Sequence, residues 1–207
     1  MKAEREYRSM NPMQIRSLNE DSGEEMLVEG YATTFGQPYT LYSWDDYEVR
    51  EEIDAHAFDE CDMRDVIMQY DHQGRVFART KNNTLQLETD EHGLKIRADL
   101  SGTELGKQLY SEIKGGYTDQ MSFGFIVGAD ERTYTEDHES GKTTVLRKIL
   151  KISKLYDVSA VSIPANDQTT ISARNLGDGL INEAKAERLR AQKRAKLALK
   201  IKMAEEE

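Results

Sequence analysis

The run Gln120-Met121-Ser122-Phe123-Gly124-Phe125 constrains this chain more than any other. Successive side chains of a strand point to opposite faces, so Met121, Phe123 and Phe125 share one face while Ser122 and Gly124 share the other. Three large apolar side chains on one face require a core behind them. The Ser/Gly face buries little area and admits another backbone, or a substrate, at close range. A small-residue strand in a tight sandwich and a reactive hydroxyl on a sheet surface both fit this pattern.

Most of the chain from Gln14 to Ala173 reads as short strands. Residues 26–32 form one that runs into the Gly- and Pro-marked loop Thr33-Thr34-Phe35-Gly36-Gln37-Pro38. Residues 47–53 and 66–70 form two more, the second ending at Asp71-His72-Gln73-Gly74. Residues 84–88 and 94–100 alternate around a polar turn and predict a hairpin. Ser101-Gly102-Thr103-Glu104 has the form of a capping box, with Ser101 as the cap. Leu105, Leu109 and Ile113 then follow at helical spacing until Gly115-Gly116 ends the helix. A shorter helix is expected near residues 54–63. Residues 130–152 predict a second hairpin with a polar tip, and residues 154–163 a last strand ended by Pro164.

These elements predict an α+β fold that is mainly β, an antiparallel barrel-like sheet with a few helices packed on it. At 207 residues the chain accommodates one sizeable domain with some extension. The expected division is a loosely ordered leader at residues 1–12, a main domain at 13–175 and a charged helical tail at 176–207. The apolar positions of the tail (Ala184, Ala191, Ala195, Ala198) are small, so it reads as a solvated helix outside the core.

The net charge of −10 is unevenly spread. Residues 181–202 hold eight Lys and Arg against Glu183 and Glu187, while residues 1–180 carry 20 basic and 33 acidic side chains. An acidic body repels nucleic acid, which argues against DNA or RNA as its partner. No run approaches the ~18 apolar residues of a membrane span. The first residues lack the apolar core of a secretory signal, and the single Cys61 fits a reducing cytoplasm. The expected compartment is cytosolic.

Nucleophilic hydrolysis needs a hydroxyl or thiol, a base to take its proton, and a group that orients and charge-balances the base. Ser122 is the hydroxyl candidate. Of the four histidines, His92 and His138 fall in predicted hairpin tips and His56 near the start of a short helix. His72 follows a buried strand directly, so a rigid element presents its ring at a sheet edge. Asp157 lies within the apolar strand Leu155-Tyr156-Asp157-Val158-Ser159-Ala160-Val161. A carboxylate there is costly to bury unless paired. An imidazole N–H would be one partner, and Lys148, Lys151 or Lys154 would be others. Cys61 sits among Asp59, Glu60 and Asp62, which disfavour its thiolate. His56, His72 and His92 could converge with acids on a metal, but no His/Cys pair has the short spacing of zinc sites, and no metal or cofactor is expected. Gly115-Gly116 follows a helix instead of opening one, unlike a phosphate loop.

Together, the strand ending in His72, the Met121-Ser122-Phe123-Gly124-Phe125 element and the Asp157-Val158-Ser159 strand leading to Pro164-Ala165-Asn166 resemble the prohead (capsid maturation) proteases of tailed phages. The segments Gly30-Tyr31-Ala32-Thr33-Thr34-Phe35 and Ala57-Phe58 also look like that family, so the resemblance runs from about Val28 to Ala173. It implies a serine endopeptidase related to the herpesvirus assembly proteases, with a closed β-barrel surrounded by helices. It further implies Ser122 as nucleophile, His72 as general base and Asp157 as the group orienting His72, where the herpesvirus relatives use a second His. The implied substrates are the scaffold, the major capsid protein and the protease itself, inside a prohead assembling in the host cytoplasm. The same resemblance suggests a homo-oligomer. A non-catalytic capsid assembly or scaffold protein with the same barrel is the alternative.

Overall fold

The computed structural model describes residues 5–17, 26–44, 46–137, 141–162 and 171–205. The alternating run around Ser122 opens a long strand, β9 (Gln120–Glu136), which pairs antiparallel with β10 (Thr143–Val161) along most of its length. The hairpin expected at 130–152 and the strand expected at 154–163 are thus parts of one ribbon, interrupted only by shifts of register. The remaining strands are β1 (Glu6–Ser17), β2 (Leu27–Thr34), β3 (Tyr39–Trp44), β4 (Tyr47–Ile53), β5 (Ile67–Tyr70), β6 (Gln73–Arg79), β7 (Leu85–Thr89) and β8 (Gly93–Asp99). Among the described residues two α-helices, α1 (Glu104–Lys114) and α2 (Ile171–Glu205), complete a mixed α+β fold built mostly of strands.

The sheet runs in the order β3-β4-β10-β9-β1-β2-β8-β7, with β5 attached to β10 and β6 to β5. The predicted hairpin of β7 and β8 is present. The closed barrel expected from the sequence is not: among the described residues no pairing joins β3 to β7, the two ends of the order. The reason lies in β10. Its register against β9 breaks repeatedly between Ile149 and Asp157. Its first part takes β4 as a parallel partner and its last part takes β5, also parallel. The sheet therefore branches at β10.

The core sits on the face that the alternation of β9 selects. Met121, Phe123 and Phe125 are fully buried, together with Val28, Met68, Ile96, Ile152, Leu155 and Val158. The rings of Phe123 and Phe125 stack at 4.6 Å. Helix α1 closes one side of this core, but its cap is Thr103 and not Ser101: Thr103 Oγ1 accepts the Gly106 N–H at 2.9 Å. The buried face is Gly106, Leu109, Tyr110 and Ile113, which leaves Leu105 exposed. Gly106 permits this seating, because a Cβ there would lie 2.3 Å from the Leu100 carbonyl oxygen. The helix expected near 54–63 is a series of turns.

The beginning of the tail also departs from expectation. Leu180, Ile181 and Ala184 of α2 are buried against Leu41, Tyr42, Val49 and Val145, forming a second cluster. An ion pair between Arg188 and Glu136 at 2.6 Å extends that contact. Ala191, Ala195 and Ala198 are exposed, as expected. Small alanines alone did not reveal that Leu180 and Ile181 supply the packing face.

Truncating the ring directly behind the Ser122 strand tests this core. Phe123→Ala is expected to lower unfolding free energy by about 3–5 kcal/mol, read from urea unfolding, because the fully buried site has no solvent to fill the cavity.

Candidate active site

The three sequence candidates lie together in space. Ser122 and Asp157 come from neighbouring strands whose register pairs Ser159 with Ser122 and Asp157 with Gly124. All four residues therefore stand on the same face of the sheet. His72 arrives from the tip of the β5–β6 hairpin, which β5 holds against the end of β10 through the pairing of Asp157 with Ile67 and Ala160 with Tyr70.

That hairpin tip is a two-residue loop, since Tyr70 pairs with Gln73. Asp71 and His72 both have positive φ, 48° and 57°, as a type I′ turn requires. Asp is tolerated there, whereas His occupies the position that normally favours Gly. The surroundings hold the turn in place. The Asp71 N–H donates to the Ala160 carbonyl at 3.0 Å, and the Asp71 carboxylate accepts the Ser162 N–H at 3.1 Å. Left-handed backbone at a non-glycine residue costs energy that the surroundings must over-determine, and here it swings the imidazole over the Ser/Gly face.

His72 Nδ1 lies 2.5 Å from Asp157 Oδ1, and His72 Nε2 lies 2.5 Å from Ser122 Oγ. The same Oδ1 accepts the Ser159 hydroxyl at 2.9 Å. The Arg5 guanidinium forms an ion pair with the other oxygen, Oδ2. Asp157 is fully buried, so these partners offset the desolvation that an apolar strand imposes on a carboxylate. The lysine partners considered from the sequence bind elsewhere: Lys148 with Asp54, Lys151 with Glu60 and Lys154 with Asp62.

Burial and then the positive Arg5 push the His72 pKa down to about 4, with Asp71 opposing them. The imidazole is thus neutral at neutral pH, and its single proton belongs on Nδ1, facing the carboxylate. Nε2 is left as an acceptor for the Ser122 hydroxyl. That hydroxyl has a second acceptor, because Ser122 Oγ also lies 2.9 Å from the Arg8 carbonyl oxygen.

Gly124 explains the clearance in this arrangement. A Cβ there would lie 2.5 Å from Asp157 Oδ2, and 2.9 Å from both Arg5 Nε and Tyr7 Cε1. Tyr7 in turn meets the His72 ring edge-on at 4.5 Å between centroids. Beside the turn runs a groove of about 490 Å³ lined by Tyr70, Gln73, Gly74, Arg75 and Phe77.

The other candidates stay apart. His56 pairs with Asp59 on an exposed turn, and His92 packs against Tyr31. His138 lies outside the described residues. Among the described residues no three His, Cys, Asp or Glu side chains are grouped as a metal site. Burial pushes the Cys61 thiol up to about 11, which leaves it protonated and weakly nucleophilic. Reading the sequence missed Ser159, Arg5, Tyr7 and the Arg8 carbonyl. Ser159 was within reach, since it stands two residues after Asp157 on the same strand face. The other three were not, because nothing local ties residues 5–8 to a strand more than a hundred positions away.

A family model described as caudovirus prohead serine protease matches residues 11–179. No curated protein and no solved structure matches the chain.

Two outcomes follow from the geometry. Followed by NMR, the His72 imidazole is expected to stay neutral until the pH falls towards about 4; Arg5→Ala removes a positive neighbour and should move that titration upward. Gly124→Ala should drive Asp157 or the Arg5–Tyr7 segment from its place, detectable as loss of the slowly exchanging Nδ1 proton resonance. A titration unchanged by Arg5→Ala would contradict the charge contact described here.

Proposed function

The chain belongs to the caudovirus prohead serine protease family, and on that premise we propose that Ser122, His72 and Asp157 are its catalytic residues. The observation carrying this reading is the unbroken line Asp157–His72–Ser122 with contacts of 2.5 Å at both joints. Ser122 attacks the scissile carbonyl while His72 Nε2 takes its proton. Asp157 holds Nδ1–H and stabilises the imidazolium that forms. The proton then passes to the leaving amine, and water activated by His72 releases the acyl group. Backbone N–H groups supply the oxyanion donors. Ser159, through its bond to Asp157, is a positioning residue for the acid.

The proposed substrates are the scaffold, the major capsid protein and the chain itself, cut inside the assembling prohead in the host cytoplasm, with the enzyme acting as a homo-oligomer. No helix among the described residues is long and apolar enough to cross a membrane. In this reading residues 13–175 form the protease unit, to whose sheet residues 6–12, expected as a loosely ordered leader, add the first part of β1, and residues 176–207 form a tail that tethers it to the shell and is removed by self-cleavage. The resemblance to herpesvirus assembly proteases belongs to the same proposal.

Co-expression with the capsid and scaffold proteins tests it. Ser122→Ala should abolish processing of both, and unchanged cleavage on a gel would refute the assignment. Asp157→Asn keeps the shape but favours the wrong tautomer of His72, so kcat should fall roughly ten-thousand-fold, with KM little altered.

A further inference from the structure

Ser122 is fully buried. A protease whose nucleophile has no exposed surface cannot meet a protein substrate, so the groups that cover it matter. Besides His72 and the neighbouring strand β10, one segment contributes to them. Residues 6–9 of β1 run antiparallel to β9, pairing Glu6 with Phe125, Tyr7 with Gly124, Arg8 with Phe123 and Ser9 with Ser122. Arg5 is ion-paired with Asp157, Tyr7 lies edge-on against His72, and the Arg8 carbonyl accepts the Ser122 hydroxyl. Each member of the proposed triad is thus contacted by residues 5–8.

Resting on the protease reading above, we infer that the edge of β9 at residues 122–125 is the subsite that binds substrate as an antiparallel strand, and that the chain's own residues 5–9 fill it as an inhibitory strand. The segment has the properties of a bound peptide: an extended backbone, paired main chain to main chain, with a carbonyl held at the nucleophile. Main-chain pairing is the usual source of affinity when a peptide adds to a sheet edge. The contacts also suppress the chemistry. The Arg8 carbonyl competes with His72 Nε2 for the single Ser122 proton. Arg5 neutralises the carboxylate that should support an imidazolium.

The segment is built to leave. Its register against β9 breaks between Ser9 and Gln14, and Pro12, which has no N–H to give a ladder, falls in that break. Beyond the break, β1 pairs with β2 through Ile15, Arg16 and Ser17 and keeps its place. On the opposite face the segment is held by Arg8, bonded to Glu51 at 2.5 Å, and by Glu6, bonded to Arg147 at 2.8 Å. On that face one positive and one negative charge therefore depart together. Arg147 and Glu51 retain each other at 2.9 Å, and Arg147 retains Asp130 at 2.6 Å. No charge of that cluster is stranded, which is the costly outcome for buried ions, and on the Ser122 face Asp157 gives up Arg5 but keeps His72 and the Ser159 hydroxyl.

A fluorophosphonate probe that labels reactive serines reads the open fraction directly in the full chain. The double variant Arg5→Ala/Tyr7→Ala should label about tenfold faster or more than the unaltered chain, since the apparent rate scales with the competent fraction. Tyr7→Ala alone should fall between them, and Tyr7→Phe should label as slowly as the unaltered chain. The single variants keep the inference testable should the double variant fail to fold, as judged by circular dichroism. Folded variants that label no faster, or more slowly, would overturn the inference and make residues 5–9 a support of the triad. The capsid co-expression assay separates the two readings. Processing by the unaltered chain but not by Ser122→Ala upholds the protease assignment whatever the labelling rates show, and processing that survives Ser122→Ala removes it.

Discussion

The register between β9 and β10 governs the rest of the site. It places Asp157 across from Gly124 and Ser159 across from Ser122, so an acid, its hydroxyl partner, a clearance and a second hydroxyl share one small-residue face. A slip of one residue would turn all of them to the other side. The slip is opposed by the fully buried Met121, Phe123 and Phe125, whose exposure would cost several times the free energy of any polar contact at the site. The chemistry on one face is thus held in place by hydrophobic burial on the other.

The second constraint is the β5–β6 turn. Parallel pairing of β5 with the end of β10 carries the turn to the edge of the Ser/Gly face, and the positive φ of His72 aims the ring. His72 is mounted on the hairpin that branches from the sheet, whereas Ser122 and Asp157 are mounted on the ribbon. This division ties the geometry of the candidate site to the branching of the sheet at β10.

Charge is arranged on both faces of the strand that pairs alongside Ser122. Arg5 and Tyr7 meet Asp157 and His72, while Glu6 and Arg8 enter the cluster of Glu51, Arg147 and Asp130. In that cluster burial by itself would raise the carboxyl of Glu6, but Arg147 and Arg8 hold it below its ordinary range. Burial opposes the charge of Arg8, yet Glu51 and its other acidic neighbours keep it firmly protonated. Alternation along one short strand therefore couples a buried ionic cluster to the reactive face without any side chain spanning the sheet.

Local pattern was sufficient for much of this protein. The alternation at 120–125, the hairpin of β7 and β8, the strand before His72 and the anomaly of a carboxylate at Asp157 are written in neighbouring residues, because side-chain period and burial cost are properties of a strand by itself. Helix α1 was legible in extent but not in phase, since Thr103 and Ser101 are both competent caps and only the approach to Leu100 chooses between them. The tail was misread at Leu180 and Ile181, whose burial depends on β3 and β4 lying opposite. What the tertiary structure alone decided was the branched sheet, the conformation that aims His72, and the pairing of residues 6–9 alongside Ser122. These are pairings between segments far apart in the chain, and such contacts leave no periodic mark in either partner.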